Sequence, residues 1–260
     1  MSNPELTAFL NRLADVASDS IMPHFRAGIV VENKGGATFD PVTVADRAAE
    51  AAMRKLIAET YPDHGVVGEE YGPERPDADF VWVLDPIDGT RSFITGLPVW
   101  GVLIGLLHAG RPVLGMMAQP FTGERFAGDG KRAWYSGGGR SNDLKTRPCA
   151  TIGEAALFTT TPRMFRGGDL AAYDRVENAV RLARYGVDCY GYCMVAAGHA
   201  DVVVEAGLKP FDIVALIPVI EGAGGLVTNW EGGPAAGGGR IVASGDKRLH
   251  EQVLKRLAGD

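Results

Sequence analysis

The sequence has few cysteines and no long hydrophobic run. Three of its 260 residues are cysteines, Cys149, Cys189 and Cys193, and no Cys-x-x-Cys occurs. No accompanying set of zinc ligands is visible, so we expect buried, reduced thiols in a cytoplasmic protein. No apolar run reaches transmembrane length, and no basic segment followed by an apolar one begins the chain. Neither a membrane span nor a signal peptide is therefore predicted.

Positive charge is nowhere concentrated along the chain. The net charge is −6, and no block of Lys or Arg and no basic stripe mixed with aromatic residues is present, which argues against nucleic acid as a main partner. The glycines at residues 237–239 lack the Lys-Ser/Thr of a phosphate-binding P-loop. The composition, 46% hydrophobic and 22% charged, is that of an ordinary globular protein. An acidic enzyme for an anionic substrate needs local positive charge, which metal ions would supply.

Hydrophobic periodicity predicts an α+β first half over residues 1–144. A helix is expected at residues 4–21, with Pro4 at its first position. Thr43 and Asp46 have the spacing of a capping box that starts a second helix. The predicted strands lie at residues 66–67, at 80–84 and in an antiparallel meander over 100–134.

The second half, residues 145–260, alternates predicted strands and helices, which indicates α/β layers. Strands are predicted at residues 156–161, 201–205, 226–230 and 240–243. Helices are predicted at residues 170–184, 190–199, 212–222 and 249–257. Pro218 is expected to bend the third of these helices or to mark a late start.

The most informative segment is the end of the strand at residues 80–84. Asp85 and Asp88 follow it three residues apart, and Gly89 and Thr90 then begin a short helix. Carboxylates in such a loop can bind hard divalent cations such as Mg²⁺, and N–H groups at a helix start can bind an anion. Metal ions beside an anion pocket indicate phosphoryl chemistry, although the segment alone would favour a simple polar turn after a strand.

Four further acids follow the same logic, and each also has a purely structural explanation. Glu69 and Glu70 come after the strand at 66–67 and could be a solvated pair, whereas Asp212 opens an apolar helix and could be a cap. Asp46 could serve only in its capping box. The order Glu-Glu, then Asp-x-x-Asp-Gly-Thr, then a helix-opening Asp is more specific than any one member.

That order resembles the inositol monophosphatase superfamily of Mg²⁺-dependent, lithium-sensitive phosphatases, over nearly the whole chain. Phe211 stands where the family usually has Trp, and residues 213–215 read Ile-Val-Ala after the acid, where the family usually has a pair of Ala. Within the superfamily the chain looks most like the histidinol-phosphatase branch. The segments that carry this closer resemblance are residues 85–96 (DPIDGTRSFITG), 100–107, 119–120, 188–192 and 205–210.

The resemblance implies a layered α/β/α/β/α sandwich, a homodimer, and two to three Mg²⁺ ions per active site, with Mn²⁺ as an alternative. The first ion would be bound by Glu69, Asp85 and the carbonyl of Ile87, and the second by Asp85, Asp88 and Asp212. A third ion would lie near Glu69 and Asp46, mostly through water. Lys34 stands near the family's flap position and is a candidate to screen phosphate or the third ion.

The resemblance also implies hydrolysis by a metal-activated water, without a covalent intermediate. Glu69 and Thr90, assisted by Asp46, would orient and deprotonate that water, and a water near Asp88 would protonate the leaving group. Substrate contacts are expected from Glu69, Asp88, Gly89, Thr90, Arg91, Asp188, Glu205 and Asp212. Arg91 is equally compatible with capping a loop.

Histidinol phosphate is the substrate that the closer resemblance implies. Asp188 and Glu205 would receive its amino group and imidazole, although a turn residue and a surface acid at a strand end are the structural alternatives. The alternative substrate is inositol 1-phosphate or a related sugar-alcohol phosphate. A catalytically idle binding protein on the same fold is the alternative from another class, and the intact set of acids argues against it.

Overall fold

The computed structural model describes residues 4–28, 31–33 and 41–259. The α-helices are α1 (Pro4–Ile21), α2 (Val44–Thr60), α3 (Thr90–Ile94), α4 (Gly168–Glu177), α5 (Asp188–Ala196), α6 (Pro210–Ile213), α7 (Leu216–Gly222) and α8 (Lys247–Ala258). The strands are β1 (Val31–Asn33), β2 (Pro41–Thr43), β3 (Gly65–Gly68), β4 (Gly72–Glu74), β5 (Phe80–Asp88), β6 (Gly101–His108), β7 (Arg111–Gln119), β8 (Glu124–Gly128), β9 (Ala133–Gly137), β10 (Arg140–Asp143), β11 (Ala156–Thr159), β12 (Leu182–Tyr185), β13 (Val202–Leu208), β14 (Leu226–Asn229) and β15 (Gly239–Ser244). No helix in these ranges combines the length and the apolar character needed to cross a bilayer.

Two large sheets organise the described chain. The first has eight strands in the order β10-β9-β8-β7-β6-β5-β3-β4, and only β3 and β5 pair in parallel within it. The predicted meander supplies four of these eight strands, β6 to β9. The second has five strands in the order β12-β11-β13-β15-β14, with β11 parallel to both of its neighbours. A small β1–β2 pair lies apart from both.

Alternation along the strands divides the core into three clusters and the molecule into five layers. Val102 and Ile104 of β6 face α1 and α2, whereas Leu103 faces the central helices α5 and α7. In the second sheet, Val203 also faces that central layer, whereas Val202 faces α4 and α8. Since neighbouring strand residues point to opposite faces, both sheets are covered on both sides, and the expected α/β/α/β/α sandwich is confirmed.

The boundary expected at residues 144 and 145 falls between the two sheets, which end at Asp143 and begin at Ala156. The central cluster nevertheless contains residues of both sheets. The division into two domains therefore stays a prediction. All three cysteines are free and buried, as expected.

The helix predicted over residues 170–184 is wrong in its second half. The helix ends at Glu177, and residues 182–185 form the edge strand β12 instead. Its parallel pairing with β11, from Ala156 opposite Leu182 to Thr159 opposite Tyr185, replaces the helical hydrogen bonds. A tertiary partner therefore overrides a segment that is compatible with either structure.

The helix predicted over residues 212–222 is two short helices, α6 and α7. Pro218 lies in the first turn of α7, where its missing N–H has no intrahelical partner to lose. The predicted late start is thus confirmed. The break separates Asp212, at the third position of α6, from the buried apolar helix that follows.

Candidate active site

The two aspartates of the most informative segment lie on a bulge at the end of β5. Asp85 pairs with Leu103 and Asp88 with Gly101, so three steps along β5 oppose two along β6. Bulges redirect side chains at sheet ends. The Ile87 N–H donates a hydrogen bond to Oδ1 of Asp85 at 3.0 Å, which fixes that carboxylate against the bulge.

Gly89 and Thr90 form the turn between this strand and α3. Gly89 has φ of +82°, in the left-handed region that favours glycine. A Cβ at this position would also lie 2.8 Å from a carboxylate oxygen of Asp188, so the approach of Asp188 requires glycine here. The Thr90 hydroxyl donates to the Ile87 carbonyl at 3.0 Å.

Asp212 joins this site from 124 positions further along the chain than Asp88. It caps α6 by accepting a hydrogen bond from the Lys209 N–H at 2.6 Å. Carboxylate oxygens of Asp85, Asp88 and Asp212 all lie within 4.8 Å of one another. The structural role as a cap and the place in the carboxylate cluster are therefore compatible.

This carboxylate cluster, Asp85, Asp88 and Asp212, is electrostatically unfavourable without a cation. Burial raises the pKa of Asp85 well above its usual range, and repulsion from Glu69, Asp88 and Asp212 raises it further. Burial also raises the pKa of Asp212 to about 7. Oxygen ligands crowded in this way fit a hard divalent cation, whose charge would offset the repulsion. The residues thus fit Mg²⁺.

Glu69 and Asp46 lie beside the carboxylate cluster. The Glu69 N–H donates to the Leu84 carbonyl at 3.2 Å, which ties the end of β3 to β5 just before Asp85. Asp46 is 1% exposed and accepts hydrogen bonds from the Thr43 N–H at 2.8 Å and hydroxyl at 2.6 Å, so the predicted capping box exists. Burial, and to a lesser degree repulsion from Glu69, raises the pKa of Asp46. Asp46 is therefore both a cap and a neighbour of Glu69.

Asp88 and Asp212 also line a cavity of about 200 Å³. Asp188 and Glu205 line it, and Asp188 has φ of +43°, a conformation uncommon outside glycine. Glu205 is 3% exposed, so the alternative of a surface acid is wrong. The Cys189 N–H donates to Asp88 at 2.8 Å, which links the start of α5 to the carboxylate cluster.

The sequence did not single out three polar residues that hold the acids of this cavity. The Ser92 hydroxyl donates to Asp188 at 2.5 Å, and the Tyr192 hydroxyl donates to Glu205 at 2.8 Å. The Thr160 N–H donates to Glu205 at 2.8 Å. Burial raises the pKa of Asp188 and of Glu205, and hydrogen bonds from the Thr160 side chain partly offset that rise. Thr160 follows β11 directly, and a polar residue at a strand end was the only signal in the sequence.

Arg91 and Lys34 are the two remaining residues that the sequence analysis predicted for the site. Arg91 is exposed and close enough to Asp188 to lower its pKa, although burial raises that pKa more strongly. Lys34 lies outside the described residues.

The raised carboxyl pKa values predict an unusual pH dependence for the metal-free protein. Between pH 3.8 and about pH 7, Asp212 holds a proton in the folded state but has lost it in the unfolded state. The free energy of unfolding therefore falls as the pH rises through this range. His250, whose pKa burial lowers to about 4, has the opposite slope below pH 6.5. We therefore compare the wild type with Asp212→Asn, in which His250 is unchanged.

In thermal denaturation with EDTA, the melting temperature of the wild type should fall relative to Asp212→Asn between about pH 5 and pH 8, by several degrees. Mg²⁺ at pH 8 should restore much of the difference in the wild type only. If the melting temperatures of the two proteins changed with pH in parallel, the raised pKa of Asp212 would be contradicted.

The five-layered fold and the carboxylate cluster are those of a metal-dependent phosphatase. The chain belongs to the inositol monophosphatase family, whose sequence model matches residues 2–259. It is accordingly a phosphomonoester hydrolase, and enzymes of this family generally depend on Mg²⁺.

Relatives with different substrates resemble the chain over its full length. It is 43% identical to the bifunctional phosphatase IMPL2 of Arabidopsis thaliana, over 99% of this chain and 77% of that protein. It is 36% identical to the histidinol-phosphatase of Mycobacterium tuberculosis, over 99% of both. A solved structure of an inositol monophosphatase from Zymomonas mobilis superposes with a TM-score of 0.89 at 40% identity, covering 99% of both chains.

Proposed function

We propose that this protein hydrolyses L-histidinol phosphate to L-histidinol and phosphate, a step of histidine biosynthesis. The observation that carries the proposal is the acidic cavity next to the carboxylate cluster. Histidinol phosphate brings a primary ammonium and an imidazole, and both favour carboxylate partners in a partly buried site. The histidinol-phosphatases of Mycobacterium tuberculosis and Chlorobaculum parvum, 36% and 32% identical to this chain, support the same substrate.

In this proposal the phosphate is bound at the carboxylate cluster and the amino alcohol in the cavity. Asp85, Asp88 and Asp212, with Glu69 and the carbonyl of Ile87, would hold the metal ions. When bound, Mg²⁺ neutralises charge on the phosphate and increases the acidity of water. The N–H groups of Gly89 and Thr90 would bind phosphate oxygens at the start of α3.

The protein's own residues would move the protons. Glu69 accepts a proton from the attacking water while the Thr90 hydroxyl orients it, and the neighbouring Asp46 assists. Asp88 positions a second water that protonates the departing alkoxide of histidinol. The exposed Arg91 would contribute positive charge at the edge of the site.

Asp188 and Glu205 have distinct proposed roles. Asp188 reaches the cavity from the start of α5 and would accept the ammonium group. Glu205 already accepts hydrogen bonds from Tyr192 and Thr160. It would act mainly by placing negative charge behind the imidazole. The homodimer implied by the resemblance and the cytoplasmic location expected from the reduced cysteines stay predictions.

The test is phosphate release from L-histidinol phosphate and myo-inositol 1-phosphate, measured side by side with Mg²⁺ and with EDTA. We expect Mg²⁺-dependent hydrolysis with a clear preference in kcat/KM for histidinol phosphate. Added salt should reduce this preference in kcat/KM only weakly, because buried charges are screened much less than exposed ones. A preference for inositol phosphate would favour the second candidate, inositol monophosphatase activity, which the resemblance to the Zymomonas mobilis structure supports.

A further inference from the structure

Glu50 of α2 is a fully buried acid, at 0% exposure, that the proposed mechanism does not use. Its carboxylate accepts hydrogen bonds from the Glu70 N–H at 2.7 Å and the Tyr71 N–H at 3.2 Å. It also accepts one from Nε of Arg54 at 2.8 Å. A buried carboxylate is stable only when it is partnered in this way. Two of its three partners are the backbone amides directly after Glu69.

The backbone directly before Glu69 is fitted to the same carboxylate. A Cβ added to Gly68 would lie 1.9 Å from an oxygen of Glu50 and 2.3 Å from its carboxyl carbon. Only glycine therefore allows the carboxylate to lie against the chain at this point. Glu50 contacts the turn on both sides of Glu69.

Arg54 extends the contacts of Glu50 to the far side of the turn. Its guanidinium donates to Oε1 of Glu50 and to the Gly72 carbonyl. It also lies over the Tyr71 ring, 6.0 Å from the centroid. The Glu50–Arg54 pair thus joins one turn of α2 to the whole connection between β3 and β4.

We propose that Glu50 is a positioning residue for the metal site, which holds the turn at residues 68–71 so that the Glu69 carboxylate faces Asp85. The inference rests on the proposed function, since it takes Glu69 as a metal ligand. Residues that hydrogen-bond to the supports of a metal ligand restrict its orientation, and replacing such a residue weakens metal binding. Glu50 does this through the backbone.

The direct test measures Mn²⁺ binding to the metal-free, full-length protein, by electron paramagnetic resonance of free Mn²⁺. In Glu50→Gln an amide NH₂ would face at least one backbone N–H or Arg54, so the turn would shift. We expect the Kd for Mn²⁺ to rise roughly 10-fold or more. The matched control is Glu59→Gln, the same change at an exposed acid of the same helix, which should leave the Kd unchanged.

Two further measurements separate positioning from a general loss of stability. The Mg²⁺ concentration for half-maximal hydrolysis of para-nitrophenyl phosphate should rise with the Kd, while kcat at saturating Mg²⁺ recovers most of the wild-type value. Gly68→Ala should have the same effects, because its methyl group displaces the turn from Glu50 without changing any charge. Circular dichroism and melting temperature establish that each variant is folded at the assay temperature.

An unchanged Kd for Mn²⁺ in both folded variants, even with a lower melting temperature, would overturn the positioning role alone. If the wild type hydrolyses no phosphate ester but Glu50→Gln still weakens Mn²⁺ binding, the proposed function fails and the positioning role stands. A wild type that does not bind Mn²⁺ would overturn both.

Discussion

Replacing Asp85 by Asn is expected to abolish hydrolysis and, at the same time, to stabilise the metal-free protein. Asp85 is the most buried member of the carboxylate cluster, at 2% exposure, and is repelled by Glu69, Asp88 and Asp212. It is also the ligand that the two proposed metal ions would share. A bound metal contributes several kcal/mol to catalysis, so kcat/KM should fall roughly 10³-fold or more.

Opposite changes in activity and stability distinguish this expectation from simple damage to the fold. With EDTA at pH 8, Asp85→Asn should melt several degrees above the wild type, because Asn removes a repelled charge and keeps the shape. Added Mg²⁺ should stabilise the wild type much more than the variant. Differential scanning calorimetry and phosphate release measure both effects.

The matched control is Asp77→Asn, the same change at an exposed acid just before β5. Its activity and melting temperature should match those of the wild type, since exposed charges contribute little. If Asp85→Asn retained substantial Mg²⁺-dependent activity, the shared role of Asp85 would be wrong. A loss of both activity and metal-free stability would assign Asp85 to the fold.

Replacing Asp188 by Asn should change which substrate the enzyme prefers. Asn keeps the side-chain shape, can still accept the Ser92 hydrogen bond, and tolerates the left-handed backbone conformation at this position. The change therefore removes little besides the negative charge. A hydrogen bond to a charged group contributes about 1.5–3 kcal/mol, so KM for histidinol phosphate should rise roughly 10- to 100-fold.

The substrate myo-inositol 1-phosphate, whose alcohol portion is uncharged, is the internal control for this variant. It has no ammonium group, so its KM should change little in Asp188→Asn, and kcat/KM for the two substrates should approach each other. Steady-state kinetics at pH 8 with saturating Mg²⁺ measures both. An equal rise in KM for both substrates would instead assign Asp188 to packing against the Gly89 turn, where a Cβ would lie 2.8 Å from its carboxylate.

Much of the fold follows from patterns between residues that are close in the sequence. The capping box of Thr43 and Asp46 predicted the start of α2, and alternating apolar runs with turns predicted the meander of β6 to β9. These features are encoded locally, because a cap or a hairpin is formed by residues only a few positions apart. How these elements are arranged in five layers was predicted from the family resemblance and not from local patterns.

The wrong prediction at residues 182–185 has a different origin. These residues form a strand because β11 offers a parallel partner, and that partner is not visible in local periodicity. By contrast, Pro218 did indicate the late start of α7 within residues 212–222. The role of Glu50 was likewise hidden, because a Glu at a helical position looks like any solvated acid until the packed turn is seen.

Residue types and spacing were enough to find candidate metal ligands: the Asp-x-x-Asp-Gly-Thr segment, Glu69 and the helix-opening Asp212 are acids suited to a divalent cation. Which of these acids share one site, and which are buried, became visible in the packed structure. Asp212 reaches Asp85 and Asp88 because α6 packs against the end of β5, and Glu205 is buried because Tyr192 and Thr160 close around it. Charge crowding and burial depend on distances in space. Those distances are set by the packing of the two sheets around the central helices and cannot be derived from spacing along the sequence.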